Sequence, residues 1–339
     1  MSKSIGFDFG SSCIAYCDGD KKDIMMMPSA VAFNRKTKQV LAAGANARKM
    51  VGRNPNFIEI VKPIKGGTIS DTNSVDILIS EILQRFDADS VFKKTEFFAT
   101  IPFGISKSDE NAFDTAFLQS RRATLDYVYT PIAIALGAGM PLDISTGRMI
   151  VDIGAGHADA TIISHGGIVT SSSTKTAGDA ITAAVAEYIA EAHGIEVGEL
   201  TAEAIKIKLG TLDPTKPSRS IKICGKVRPD KNPKFANQIT ASSVITSHEL
   251  IPIIAPFADK IVETITVLLE KTPPEISSDI SDFGILLSGG SAMLDGMPRY
   301  LQQAVGVKIS TTKAPAQDAA RGLWRVIRGG RAYAKFTKI

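Results

Sequence analysis

Cysteine is scarce in this chain: three in 339 residues, at Cys13, Cys17 and Cys224. They are too few and too scattered for a disulfide framework, and no His or Cys completes a zinc knuckle around Cys13 and Cys17. The expectation is three small buried hydrophobes in a reduced, cytoplasmic protein. Long apolar runs are missing as well. No segment reaches eighteen uninterrupted apolar residues, so none is expected to span a bilayer. The opening "MSKS" is polar and runs straight into a strand pattern, unlike a secretory leader. Net charge is only +4, which announces no nucleic-acid partner. Low-complexity tracts are lacking, and 44% apolar with 22% charged residues is the composition of an ordinary globule. The length slightly favours two lobes over one core.

Charge is uneven in one place. Arg321, Arg325, Arg328, Arg331, Lys335 and Lys338 crowd the C-terminal end, interleaved with Trp324, Tyr333 and Phe336. Such a tail suits either an anionic surface or a solvated last helix.

Along the chain, "SIGFDF" and "CIAYC" read as two strands joined by a Gly-Ser turn, and "SAVAFN" with "QVLAAG" as a hairpin tipped by "RKTK". Val75, Ile79, Ile82 and Leu83 recur at helical spacing. "TEFFATIP" suits a strand covered on both faces. Ser108 opens a helix reaching about Arg122, and Pro131 sits in the first turn of an Ala/Ile helix. "RMIVDIGAGHADATIIS" then repeats the opening grammar: apolar strand, Asp, Gly-rich turn, apolar strand. Asp8 and Asp152 lie about 144 positions apart, which predicts a duplicated domain with a cleft between the halves. Further on come helices from Ala180 and from Thr201, then an irregular or two-to-three-stranded lobe over 211–240. A helix pair or interrupted helix ends at Pro273-Pro274, and "FGILLSGGSAMLDGM" gives strand, diglycine turn and helix.

Three turns carry the chemistry. Gly10-Ser11-Ser12 and Gly154-Ala155-Gly156 present backbone N–H groups with little side chain in the way, a concavity for phosphate oxygens. Asp8 and Asp152, each just before such a turn, would repel an anion unless a divalent cation lay between; Mg²⁺ combines carboxylates with phosphate oxygens and water. Gly289-Gly290-Ser291 allows close backbone approach to a nucleotide. Singly, each is also simply a tight turn; the ordered set with duplication is the signal.

These blocks, together with "VLAAGANARKMVGRNPNFIEIVKPIKGGTISD", "TAEAIKIKLG" and "LLEKTPPEISSDI", resemble the MreB-type bacterial actins of the actin, hexokinase and Hsp70 ATPase superfamily over nearly the whole length. The resemblance implies an α/β actin-like ATPase fold of duplicated RNase H-like domains. The first lobe would span 1–145 with a small subdomain at about 30–68, and the second 146–317 with one at about 180–245. A C-terminal helix 318–335 would pack back on the first lobe. It also implies ATP and Mg²⁺ as cofactors. Gly10, Ser11, Ser12, Gly154, Ala155 and Gly156 would hold phosphates, with Asp8 and Asp152 facing the metal. Gly178 and Asp179 would lie near the ribose, Glu203 and Lys206 beside the adenosine, and Gly289, Gly290 and Met293 behind the base and α-phosphate. The implied partner is a second copy of the chain, head to tail in paired protofilaments, with MreB-like paralogues as further candidates.

Two departures from the family pattern matter. Where relatives carry the Glu that orients the attacking water, this chain has Thr130, and the second Thr of their phosphate turn is Ala158. Both changes predict intact nucleotide binding with weak hydrolysis. His157 is either a substitute base or a turn histidine pointing to solvent. Relatives also carry an apolar N-terminal extension or exposed loop for lipid; "MSKS" cannot serve, which leaves Phe103–Ile105 or the basic tail for a peripheral membrane contact. The expected role is a filament that controls cell shape, or helicity and swimming in a wall-less cell. The alternatives are an inactive nucleotide-binding partner co-assembling with an active paralogue, and a small-molecule kinase. The kinase reading lacks a carboxylate at Thr130 and a substrate lobe.

Overall fold

The computed structural model describes residues 3–86, 95–119, 121, 123–142, 145–228, 230, 239–330 and 333–338. Two sheets built on one plan form its frame. In the first, Lys3–Phe9 pairs antiparallel with Cys13–Asp18, which pairs antiparallel with Ile24–Pro28. On its other side Lys3–Phe9 runs parallel to Thr95–Ile101, and that strand parallel to Ala123–Tyr129. The second sheet repeats every relation: Arg148–Ile153, Ala158–Ser164 and Gly167–Thr174 are antiparallel neighbours, and Ile285–Ser288 and Ile309–Thr311 follow in parallel. Among the described residues only Thr337–Lys338, at the edge beside Ala123–Tyr129, breaks the correspondence.

Each half has its own core. Phe7, Phe9, Phe97, Phe113 and Phe117 pack edge to face under the first sheet, where helices Thr72–Arg85 and Lys107–Leu118 cover it. Asp71 and Ser106 cap those helices through their side chains. A larger aliphatic cluster fills the second half around helix Ser247–Glu270. Between the sheets, helices Thr130–Ala138 and Asp318–Gly329 cross and share a third cluster, so the last long helix lies against the first sheet.

Small elements stand on each half. Val31–Asn34, Val40–Ala43 and Ile58–Val61 form a three-stranded sheet with helix Ala45–Met50 on the first. Ile195–Glu196, Ser220–Val227 and Thr240–Thr246 form another on the second, beside helix Glu199–Leu209.

Several expectations are revised. Ala123–Tyr129 is a strand that the run into Pro131 concealed, and helix Lys107–Leu118 ends before the expected Arg122, which lies outside the described residues. The helix expected from Thr201 starts at Glu199, so Thr201 is not its cap. Ser247–Glu270 is one helix despite Pro252 and Pro256. Both prolines are exposed while Leu250, Ile254, Ala258 and Ile261 are buried, so the freed carbonyls meet water and packing overrides propensity. Helix Ser247–Glu270 ends just before Pro273-Pro274, as expected, and Pro274 opens a further helix, Pro274–Phe283. The final helix stops at Gly329 rather than 335. Cys17 is buried as expected, whereas Cys224 is exposed and Cys13 is half-buried.

The start of the basic tail is built in: Arg321 pairs with Asp318 at 2.7 Å, and the Arg325 guanidinium donates to the Leu136 carbonyl at the end of helix Thr130–Ala138, while Arg328 and Lys335 are exposed. Arg331 lies outside the described residues. Phe103 is 45% exposed and leans edge-on against Tyr129. Among the described residues no helix is long and apolar enough to cross a membrane.

Candidate functional site

Because the two sheets obey one plan, their equivalent turns face each other. Asp8 and Asp152 are each the penultimate residue of the central strand, and each strand returns through the turn that follows. Between the turns lies a cavity of about 540 Å³. Its wall contains Asp8, Gly10, Ser11 and Ser12 from one half and Asp152, Gly154, Ala155, Gly156 and His157 from the other. Thr130, Gly178, Asp179, Glu203, Lys206, Gly289, Gly290 and Met293 complete the predicted set there. Ala158 is the exception: it is 2% exposed and its methyl belongs to the aliphatic core of the second half, so it does not face the cavity.

The second half of the wall is knitted together by its own hydrogen bonds. The Gly154 carbonyl accepts from the Ser291 hydroxyl at 2.8 Å and from the Gly178 N–H at 3.2 Å, and the Asp179 N–H donates to the Ala155 carbonyl at 2.8 Å. The Lys206 ammonium donates to the Gly178 carbonyl (2.9 Å) and the Thr182 hydroxyl (2.8 Å). The phosphate turn, the Gly178-Asp179 element and the diglycine turn are therefore one rigid unit. The halves touch at Gly156, where a Cβ would lie 2.6 Å from the Ser11 hydroxyl oxygen. A larger residue there would force the Ser11 hydroxyl to turn away and would crowd the Gly66 backbone N at 3.2 Å, so glycine suits this close approach of the turns.

The chemistry of the wall is divided. Helices Thr130–Ala138 and Gly178–His193 both begin at the cavity, and their N-terminal dipoles together with Lys206 favour an anion. The Ser11 hydroxyl is buried between the turns without a protein partner, as suits a group that bonds to a ligand. At the other end, Ile207 and Met293 line the cavity yet remain 71% and 65% exposed. Two uncovered apolar side chains on a cavity wall suit a flat apolar ring. Ile207 escaped sequence reasoning; its sole signal was a position one residue after Lys206.

Two acids sit at the floor. Asp8 accepts from the Thr100 hydroxyl at 2.6 Å, and burial raises its carboxyl above the ordinary range. Asp152 is pushed up to about 7 by burial; His157 opposes this and the Asp8 charge adds to it. Among the described residues no three His, Cys, Asp or Glu side chains converge into a protein-only metal cage. A pair of buried hard carboxylates beside an anion site is instead the donor set for Mg²⁺, which keeps water and phosphate oxygens as its other ligands.

His157 does not point to solvent. Its side chain is 20% exposed, its Nε2 lies 3.1 Å from Asp159, and its Nδ1 is buried without a partner. Burial pulls the imidazole down, but the bond to Asp159 and the charges of Asp159, Asp152 and Asp8 outweigh it and leave the pKa raised.

Comparison with known proteins agrees with this geometry. The MreB/Mbl protein family matches residues 2–334. The cell shape-determining protein Mbl of Bacillus cereus is 34% identical over 322 residues, 95% of each chain. MreB of Escherichia coli is 29% identical over 328 residues, 95% of this chain and 92% of its own. Among solved structures, MreB5 of Spiroplasma citri bound to AMPPNP superposes with a TM-score of 0.89 at 26% identity, covering 96% of both chains. The MamK double helical filament, at 17% identity and a TM-score of 0.78 over 96% of this chain and 98% of its own, shares the fold. With its duplicated sheets and facing turns, this chain is an actin-like cytoskeletal protein that belongs to the MreB/Mbl family.

Proposed function

We propose that the chain binds ATP with Mg²⁺ in this cavity and polymerises head to tail into paired protofilaments that control cell shape, or helicity and motility in a wall-less cell. The observation that carries this reading is the facing of the two turns over the buried pair Asp8 and Asp152. MreB5 of Spiroplasma citri has been seen with AMPPNP and with ADP, which supports the same ligand here. Gly10–Ser12, Gly154–Gly156 and the two helix N-termini would hold the phosphates, and Ile207 and Met293 the base. Asp8 and Asp152 would hold the cation, which when bound offsets phosphate charge. Cytoplasmic filaments that touch the membrane peripherally, through Phe103–Ile105, belong to this reading.

Hydrolysis is proposed to be weak. Thr130 opens its helix at the cavity wall with a hydroxyl that can hold water but carries no charge to accept its proton. The buried methyl of Ala158 supplies nothing there. The test is phosphate release from Mg-ATP with pelleting measured in the same tube. Pelleting with little release is expected; brisk release would overturn the weak-hydrolysis reading and turn attention to His157 and Asp159.

The uncharged Thr130 also favours a second reading, a nucleotide-binding partner that enters filaments of an active paralogue. Pelleting only in the presence of such a paralogue would select it.

A further inference from the structure

Two ion pairs cross the mouth of the cleft, and both join the small subdomain of the first half to helix Glu199–Leu209 of the second. Arg48, in the last turn of helix Ala45–Met50, pairs with Glu203. Lys62, just after strand Ile58–Val61, pairs with Glu199. Arg48 has a second partner, the Ser12 hydroxyl of the first phosphate turn at 3.3 Å. A small chamber of about 30 Å³, walled by Arg48, Lys62, Glu199, Glu203, Ser11 and Ser12, adjoins the main cavity. Ser11, Ser12 and Glu203 also line the main cavity, whereas Arg48, Lys62 and Glu199 do not.

We infer that Arg48–Glu203 and Lys62–Glu199 form an ionic clasp that holds the two halves together across the cavity mouth and sets how fast a nucleotide leaves. The inference rests on the proposed reading of the cavity as a nucleotide site. Its physical basis is connectivity. The small subdomains extend from the two halves and meet at these contacts, so parting the halves at the mouth must break both pairs. The guanidinium fork of Arg48 reaches two groups on opposite sides at once, a task the point charge of a lysine performs poorly. Arg48 is thus a positioning residue: it acts on the ligand through Ser12 and Glu203.

The two pairs differ in exposure. The side chains of Lys62 and Glu199 are 43% and 47% exposed, those of Arg48 and Glu203 30% and 21%. Salt therefore screens the outer pair first and the inner pair less. The release rate rises with ionic strength and then flattens where the inner pair dominates.

The test is dissociation of a fluorescent ATP analogue with Mg²⁺ from the full chain, chased by excess ATP. Lys62→Glu and Glu199→Lys each speed release by roughly two- to fivefold, and the double exchange restores the wild-type rate. Arg48→Ala speeds release at least as much, and Arg48→Lys recovers only part of the loss. Thermal melting of the ligand-free variants stays near wild type, because the pairs are partly exposed. Unchanged release in all single variants overturns the clasp, as does a double exchange that fails to restore the rate. If the wild-type chain binds no analogue at all, the nucleotide reading itself fails, an outcome distinct from both.

Discussion

Gly137 faces the backbone of Asp318, and Gly322 that of Ala133, where helices Thr130–Ala138 and Asp318–Gly329 cross. A Cβ on Gly137 would lie 1.8 Å from the Asp318 carbonyl oxygen, and one on Gly322 1.8 Å from that of Ala133. The crossing is a mutual notch: each helix presents a bare glycine to the other's main chain. Since backbone cannot rotate away, Gly322→Ala must push the helices apart and disturb the shared cluster of Ile132, Leu136, Leu323 and Val326. A loss of about 3 kcal/mol or more is expected, read as a lowered urea midpoint. Tolerance of alanine at both positions would refute the notch.

Thr130 stands at the first position of a helix whose N-terminus opens on the cavity. Thr130→Glu places a carboxylate where the helix dipole welcomes it and where an attacking water can be reached. Phosphate release is expected to rise by about tenfold to a hundredfold, with nucleotide affinity unchanged within about threefold. No change in release would mean that Thr130 is not what limits hydrolysis.

Ile207 and Met293 contribute little to the core because most of each side chain is uncovered. Alanine at either site should leave the melting temperature unchanged and weaken nucleotide binding by about three- to tenfold, the value of a few methylenes taken from water. Isothermal titration beside a thermal melt separates the two effects.

The buried acids make stability depend on pH. Asp152 is pushed up to about 7 and Asp8 is also raised, both chiefly by burial. Between about pH 4 and about pH 7 the folded state therefore holds protons that the unfolded chain has released, so stability falls as pH rises through that window. The slope is at most about 1.4 kcal/mol per pH unit for each group. Asp213, Glu249 and Asp295, whose carboxyls are lowered, act below this window. In EDTA, melting at about pH 5.5 should exceed that at about pH 7.5. Asp152→Asn should flatten the profile and raise stability at the higher pH, while Mg-dependent nucleotide affinity falls by about tenfold or more. A variant that keeps the slope would place the protonation elsewhere.

Much of this was legible in the residues themselves. The duplicated run of apolar strand, Asp and Gly-rich turn specified both central strands and both phosphate turns, because strand alternation and the small-residue turns are local properties of the chain. Long helices with regular apolar spacing, such as Thr72–Arg85, were equally plain. Local signals failed where burial decided the outcome: Pro252 and Pro256 stay in one helix because its opposite face is buried, and Ala123–Tyr129 is a strand because Thr95–Ile101 offers it a parallel partner. Likewise the residues of the basic run left an anionic-surface contact and a solvated last helix equally open, and only the structure places Asp318 and the Leu136 carbonyl beside Arg321 and Arg325.

By itself, then, the sequence determined which backbone turns and carboxylates exist, since those depend on neighbours one to four positions away. Only the tertiary structure decided which of them meet. The orphaned Ser11 hydroxyl against Gly156 and the Arg48–Glu203 bridge depend on how two halves dock. Docking is settled by the crossing helices and the cores beneath them, over separations that no local pattern encodes.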